Sequence, residues 1–252
     1  MSGHSKWANI KHKKAKADAQ KGKVFTKLGR ELIVAARAGG ADPANNFRLK
    51  IAIDNAKAAN MPNDNIQRAI QKGAGAGDGA AFEELRYEGY GPAGAAIMVD
   101  IVTDNRNRTA GEMRHIFSKN GGNLGETGSV NWMFKEKGQL TIPQEDLELS
   151  EDDLMLMALD AGAEDMDDDD ENYLIITAPE DIEAVHQALL EQKVLISEAA
   201  INHLPLNTIE IADPEHAKKI IRLMDALEEH DDVQGVYANF ELADSLSDED
   251  LE

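Results

Sequence analysis

At 252 residues the chain is long enough for two or three domains with a buried core, and its 42% hydrophobic and 29% charged content excludes the disordered class. With no cysteine it can hold neither a disulfide framework nor a catalytic thiolate. No run approaches the ~18 apolar residues of a membrane span. The opening Met1-Ser2-Gly3-His4-Ser5-Lys6 lacks the apolar core of a secretory signal, so a cytoplasmic protein without a membrane partner is expected.

The net charge of −21 conceals a segregation. Residues 1–80 carry 15 Lys+Arg against 6 Asp+Glu, residues 81–135 carry 6 against 7, and residues 136–252 carry 5 against 34. Such asymmetry is the pattern of a nucleic-acid-facing end joined to a solvating or partner-facing end.

The first region reads as helical. Between Lys6 and Arg30 stand nine cations and one acid, Asp18. On a helical wheel Lys11, Lys13, Lys14, Lys16 and Lys21 fall on every side and leave no face to bury. This arm is expected to be mobile alone and ordered by a polyanion, with Trp7 and His12 able to stack on an unpaired base. The next stretch, 23–38, is amphipathic and stops at Gly39-Gly40. Its Lys23, Lys27, Arg30 and Arg37 recur at spacings of 4, 3 and 7 and form one stripe, opposite Val24, Phe25, Leu28, Leu32, Ala35 and Ala36. Cations at about one per turn suit a phosphate backbone through counterion release. A second helix follows Asp42-Pro43 to about Ala59, and a third spans about Asn63–Lys72 with Ile66, Ala69 and Ile70 on one face. The Gly-rich stretch 73–79 then reads as a linker, ending a basic helical domain near residue 80.

Strands and helices alternate after it. A strand at Leu85–Tyr90 precedes an apolar strand at 95–103, a helix at about 110–119 and an alternating Val130, Trp132, Phe134 strand. Leu206–Ile211 as a strand, Pro214–Glu229 as a helix and Val233–Phe240 as a strand complete a βαββαβ, ferredoxin-like order. Between its halves lies an acidic βαβαβ pattern, with strands at 139–142, 172–177 and 194–202 and helices at about 151–161 and 180–191. The expected class is therefore α+β. It comprises a helical domain over 1–80, a discontinuous ferredoxin-like domain over 81–135 plus 206–240, an inserted α/β domain over 136–205, and an acidic tail over 241–252.

Thr103–Thr109 joins an apolar strand to a helix, and Thr109-x-x-Glu112 reads as a capping box at the helix start. Arg106 and Arg108 would then flank a helix N-terminus that favours anions. They could contact phosphate, or pair with Asp100 or Asp104 and brace the loop. The stretch 87–94 reads as a glycine turn between strands, and Gly121–Gly125 as a helix stop followed by a loop. Asp165–Glu171 reads as a solvated acidic loop without the EF-hand spacing. Leu154, Met155, Leu156, Met157 and Leu159 read as core. The seven histidines show no metal-ligand spacing, and no nucleophile arrangement emerges. No catalytic residue, metal or cofactor is expected.

The opening SGHSKWANIKHKKAKADAQKGKVFTKLGREL, then AKAANMPNDNIQRAI, RYEGYGP, TDNRNRTAGEMRH, GGNLGETGSVNW and DDVQGVY, resemble the YebC/PmpR family of transcriptional regulatory proteins, with which a mitochondrial translational activator is grouped. The resemblance spans nearly the whole chain. It implies three domains, helical first and the third inserted in the second, with no catalytic activity. It also implies DNA-binding transcriptional regulation in one description of the family, and ribosome-associated easing of elongation in another.

Absent helix-turn-helix spacing and dimerising heptads argue against a symmetric DNA reader and for a monomer. A lysine arm interleaved with aromatics suits backbone and single-stranded RNA better. The expected partner is nucleic acid, DNA or ribosomal RNA, with the ribosome as the favoured setting. A protein-interaction adaptor working through the acidic half is the alternative.

Overall fold

The computed structural model describes residues 19–75, 82–145, 147–169, 171–247 and 251. The helices are α1 (Ala19–Gly39), α2 (Phe47–Ala58), α3 (Asn63–Gly73), α4 (Arg106–Lys119), α5 (Glu151–Asp160), α6 (Ile182–Glu191) and α7 (Pro214–Glu228). The strands are β1 (Glu83–Tyr90), β2 (Ala96–Thr103), β3 (Asn123–Leu124), β4 (Phe134–Pro143), β5 (Ala163–Asp168), β6 (Asn172–Thr177), β7 (Glu198–Pro205), β8 (Ile209–Ile211), β9 (Val233–Ala238) and β10 (Phe240–Leu242). The class is α+β, helices first, as its sequence pattern predicts. The described residues form two compact units: 28–75 with 136–202, and 82–135 with 203–247, the latter also including 19–27.

In the first unit Gly40 ends α1 with a left-handed φ of 91°, and its N–H donates to Ala36 O at 2.9 Å. Buried Asn46 then serves two helices. Its amide donates to Ala35 O and Gly40 O at 2.8 Å each, while its Oδ1 accepts from Leu49 N and caps α2. That cap places the start of α2 at Phe47, four residues beyond the expected Pro43 signal. Phe47 and Ile51 pack against the core made by Leu140, Ile142, Leu154, Ile175, Val185 and Leu189.

The sheet of this unit runs β5-β6-β4-β7, with β5–β6 and β6–β4 antiparallel, which is the strand order of a ferredoxin-like sandwich. One strand was not legible: β5 takes up Asp165–Asp168 of the expected acidic loop. Aspartate is depleted in strands, so composition argued for a loop. The segment nevertheless pairs with β6 along one edge while half-buried Met166 faces the core. Charges on such an edge discourage pairing with another chain. A second correction concerns α5, where Leu154 is buried but Leu156 and Leu159 are 61% and 45% exposed.

The Asn55 side chain acts as a short strand against β7. Its Nδ2 donates to Ala199 O at 2.8 Å and its Oδ1 accepts from Ala199 N at 2.9 Å. Asn55→Leu is expected to destabilise this unit by about 1–3 kcal/mol, because both backbone groups of the buried Ala199 lose their partner. Urea unfolding would register it as a lower midpoint at unchanged slope; an unaltered midpoint would mean that water replaces the amide.

The second unit carries a sheet of order β3-β1-β2-β9, with antiparallel β1–β2, β1–β3 and β2–β9 pairs. Ile97, Val99 and Ile101 on one face of β2 pack with Met113 and Phe117 of α4 and with Ile220, Leu223 and Leu227 of α7. Both helices thus cover the same face. β1 occupies the inner position expected of the 206–211 strand, and the shorter β8 instead pairs in parallel with β10. The expected strand over 130–134 is a 3-10 turn at Asn131–Met133, with strand structure resuming only at Phe134. In the 87–94 turn, positive φ falls on Ala93 and Gly94. Gly89 instead serves close approach, since an added Cβ would lie 2.6 Å from Asn123 O and 2.7 Å from the Phe117 ring.

Candidate nucleic-acid interface

Lys6, Trp7, Lys11, His12, Lys13, Lys14 and Lys16 lie outside the described residues, and Lys21 belongs to α1. The structure therefore bears on the cations from Lys23 onward. Lys23 and Arg37 are exposed, but Arg30 is half-buried, and half-buried Lys27 donates from Nζ to Glu228 O at 2.5 Å. The expected continuous stripe is interrupted. Of the four, only Lys23 and Arg37 are exposed. The cause is packing on nearly every side: Leu32, Ile33, Val34, Ala35 and Ala36 are all buried, whereas Val24, expected on the apolar face, is 43% exposed.

At the second candidate, Asn105 rather than Thr109 starts the helix, its side chain accepting from Arg108 N at 3.1 Å. The Asn105 amide oxygen thus caps the helix one turn earlier. Buried Thr109 then lies inside the first turn, where its hydroxyl bonds Asn105 O at 3.1 Å and Asp232 Oδ2 at 2.6 Å. Arg108 is drawn into the same network: its Nη2 reaches Asp232 Oδ2 at 2.7 Å and Asp104 Oδ1 at 3.1 Å. The bond to Asp232 raises the pKa of the guanidinium, holding it charged. Of the two readings left open for this loop, bracing fits Arg108. Arg106, at the first helical position, stays exposed.

Glu112, His230 and Asp232 bring one ligand atom each within 4.8 Å of one another, the single such group among the described residues. Sequence spacing could not find it, because it joins α4 to the turn between α7 and β9. Its chemistry is that of a brace. Asp232 N donates to His230 Nδ1 at 3.1 Å, which leaves Nε2 to donate to Glu112 Oε2 at 2.9 Å. Arg108 already brings a cation to Asp232 Oδ2, the oxygen on which Thr103 and Thr109 also converge. Elsewhere, His186 is a core residue beside Phe47; burial holds its pKa below the usual value and so keeps the ring neutral.

The sheet face away from α4 and α7 carries a further polar group. Arg86 Nε bonds Asp100 Oδ1 at 2.7 Å and its Nη2 meets buried His203 Nε2 at 2.6 Å, with His203 edge-on to Tyr237 at 4.9 Å. Beside it, buried Glu88 accepts from Gly128 N and Val130 N at 2.7 Å and from Asn131 N at 2.9 Å. Burial alone pushes its carboxyl up, but these donors and Arg86 together hold it below the usual value. This carboxylate fixes the loop that presents Trp132, 69% exposed. Sequence reasoning passed over Trp132 because its alternation with Val130 and Phe134 mimicked a strand; Gly128 and Asn131 were the turn signal available.

A further exposed polar surface lies on α3. α2 and α3 are joined by the four residues 59–62, with Asn60 at φ 60°, a length typical of helix-turn-helix units that the sequence reading did not find. Exposed Asn63, Asn65, Gln67, Arg68 and Gln71 on α3 are residue types that read base edges. Two of them already engage each other, since Arg68 Nη2 donates to Asn65 Oδ1 at 3.0 Å and its Nε to Asp64 O at 3.1 Å.

Comparison with known proteins agrees with the sequence resemblance. Residues 5–76 match the TACO1/YebC protein N-terminal domain, and residues 82–240 match the TACO1/YebC second and third domain. A protein of Desulfitobacterium hafniense is 75% identical over 252 residues, the whole of both chains. One of Desulforamulus reducens is 59% identical over 241 residues, 96% of this chain and 99% of its own. Both are named probable transcriptional regulatory protein. The crystal structure of a conserved hypothetical protein of Aquifex aeolicus, 51% identical, matches with a TM-score of 0.87 over 94% of this chain and 97% of that one. Among the described residues no helix is long and apolar enough to cross a membrane. The chain belongs to the TACO1/YebC family.

Proposed function

We propose that this protein is a non-enzymatic regulator of gene expression that binds RNA at the ribosome, mainly through phosphate contacts from its basic N-terminal end. The observation that carries the reading is the charge segregation, 15 cations against 6 acids in residues 1–80 and 5 against 34 in residues 136–252. Phosphate attracts the first segment and repels the second, so the molecule is oriented as it approaches. Translation, by relief of stalling or activation, is the step such binding serves, and a monomer suffices for it. The relatives' name, probable transcriptional regulatory protein, fits the broader role in gene expression. DNA is the second reading, favoured by the polar face of α3.

Sedimentation of cell extracts separates the two. The protein is expected to travel with ribosomal particles and to leave them after a high-salt wash; absence from every ribosomal fraction would sink the translation reading. Reversing Lys13, Lys14, Lys16 and Lys23 to glutamate should collapse RNA affinity and flatten its salt dependence by roughly 3 in log–log slope, at ~0.7 per phosphate contact. Unchanged affinity for both RNA and DNA would overturn the role of the basic end. A protein partner retained with nucleic-acid binding absent would favour an adaptor acting through the acidic half.

A further inference from the structure

In an extended strand Val130, Trp132 and Phe134 would share one face. In the 3-10 turn they do not: Val130 and Phe134 go down onto Ala96 and Met98, at 0% and 8% exposure, while Trp132 turns outward at 69%. The ring is held rather than loose. Its Nε1 donates to Ser129 O at 3.1 Å, Met133 N donates to Val130 O at 2.8 Å, and the Glu88 carboxylate clamps the N–H groups of Val130 and Asn131. The only polar atom of the indole is thus engaged within its own loop, and much of its π surface meets solvent. Leu206 N donates to Met133 O at 2.8 Å, which brings the exposed segment Leu206, Asn207 and Thr208 alongside. Asn131 and Lys135, on either side of the turn, are also exposed.

We infer that Trp132 is a stacking platform for an unpaired nucleobase, with Asn131 and Asn207 beside the base edge and Lys135 beside a phosphate. A pre-held aromatic face loses little freedom on stacking, and every base offers a π surface to it. A protein-docking hot spot would need a cluster of apolar anchors in a desolvated pocket. Apart from Trp132 itself, Leu206 is the one exposed apolar residue in these two segments, and Asn131, Lys135, Asn207 and Thr208 are polar or cationic. The inference rests on the RNA reading above and adds to it a second contact point, outside the basic end.

The chain has two tryptophans, so a Trp7→Phe protein reports Trp132 alone by fluorescence, with its loop untouched. Titration to saturation with a short unstructured RNA is expected to quench this emission, whereas duplex RNA should not. Trp132→Ala should weaken single-strand binding on the order of tenfold, by the same factor at low and high salt, since stacking releases no counterions. Trp132→Phe should retain most of the affinity. If the single strand binds with emission unchanged and Trp132→Ala is without effect, the platform is refuted while the RNA reading stands. Equal quenching by the duplex also refutes the unpaired-base assignment. If neither RNA binds at any salt, the RNA reading fails and the platform with it.

Discussion

Replacing Glu88 by glutamine is expected to destabilise the second unit by about 2–4 kcal/mol, although the change removes no volume. The carboxylate is 4% exposed and accepts only from N–H donors: Gly128 on Oε1, Val130 and Asn131 on Oε2. An amide can turn its oxygen to one side alone, so at least one backbone N–H would face an NH₂ group. The remaining bonds would lose their charge assistance. Hydrogen exchange is the most direct measurement, with the Val130 and Asn131 amides expected to lose protection before the core of β2 does. The effect should also depend on pH. The folded pKa of Glu88 lies below the ordinary carboxylate value of 4.5, so its contribution is full above that value and fades as pH falls through the folded pKa. Glu88→Gln and the parent should therefore converge in stability in acid. A constant difference across that range would mean that the charge is not what holds the loop.

The sequence made the helices legible where their stops are chemical, as at Gly39-Gly40, and made the buried strand β2 legible through its unbroken apolar run. It misled where one local signal competed with another. Thr109 and Glu112 spell a capping box, yet Asn105 caps first and Thr109 is diverted to Asp232, a residue more than a hundred positions away. The cationic spacing along α1 is plain in the sequence, but spacing cannot show that the Leu32–Ala36 turn is buried on nearly every side. Alternation at Val130, Trp132 and Phe134 has two solutions, a strand or a turn pinned at both ends. Only the distant Glu88, through its grip on the intervening backbone, selects the second. Long-range partners of this kind leave no periodic trace in a single sequence. The candidate site was therefore visible as composition, in the basic end, and invisible as geometry, in Trp132.

Asp232→Ala is expected to cost about 2–4 kcal/mol, somewhat below the ~3–5 of a fully buried pair, because half-exposed Arg108 can still turn to Asp104 and Glu112. Asp232 itself is 2% exposed, and Thr103, Thr109 and Arg108 all converge on its Oδ2. Its loss removes the acceptor shared by two buried hydroxyls, leaving them only each other and Asn105 O, and loosens the α4 N-terminus from the turn before β9. Asp232→Asn should be milder, since a single amide oxygen can occupy the same point while only the charge is lost. The neighbouring arginines then separate brace from contact. Arg108→Ala should lower the unfolding midpoint by removing the guanidinium that bonds Asp232 Oδ2, and should leave the salt slope of RNA binding unchanged. Arg106→Ala should leave stability within about 0.5 kcal/mol, as is usual for an exposed substitution, and should reduce that slope by roughly 0.7, one phosphate's worth. If Arg108→Ala flattens the slope and spares stability, Arg108 is a phosphate ligand. The network around Asp232 would then serve to aim it rather than to hold the fold.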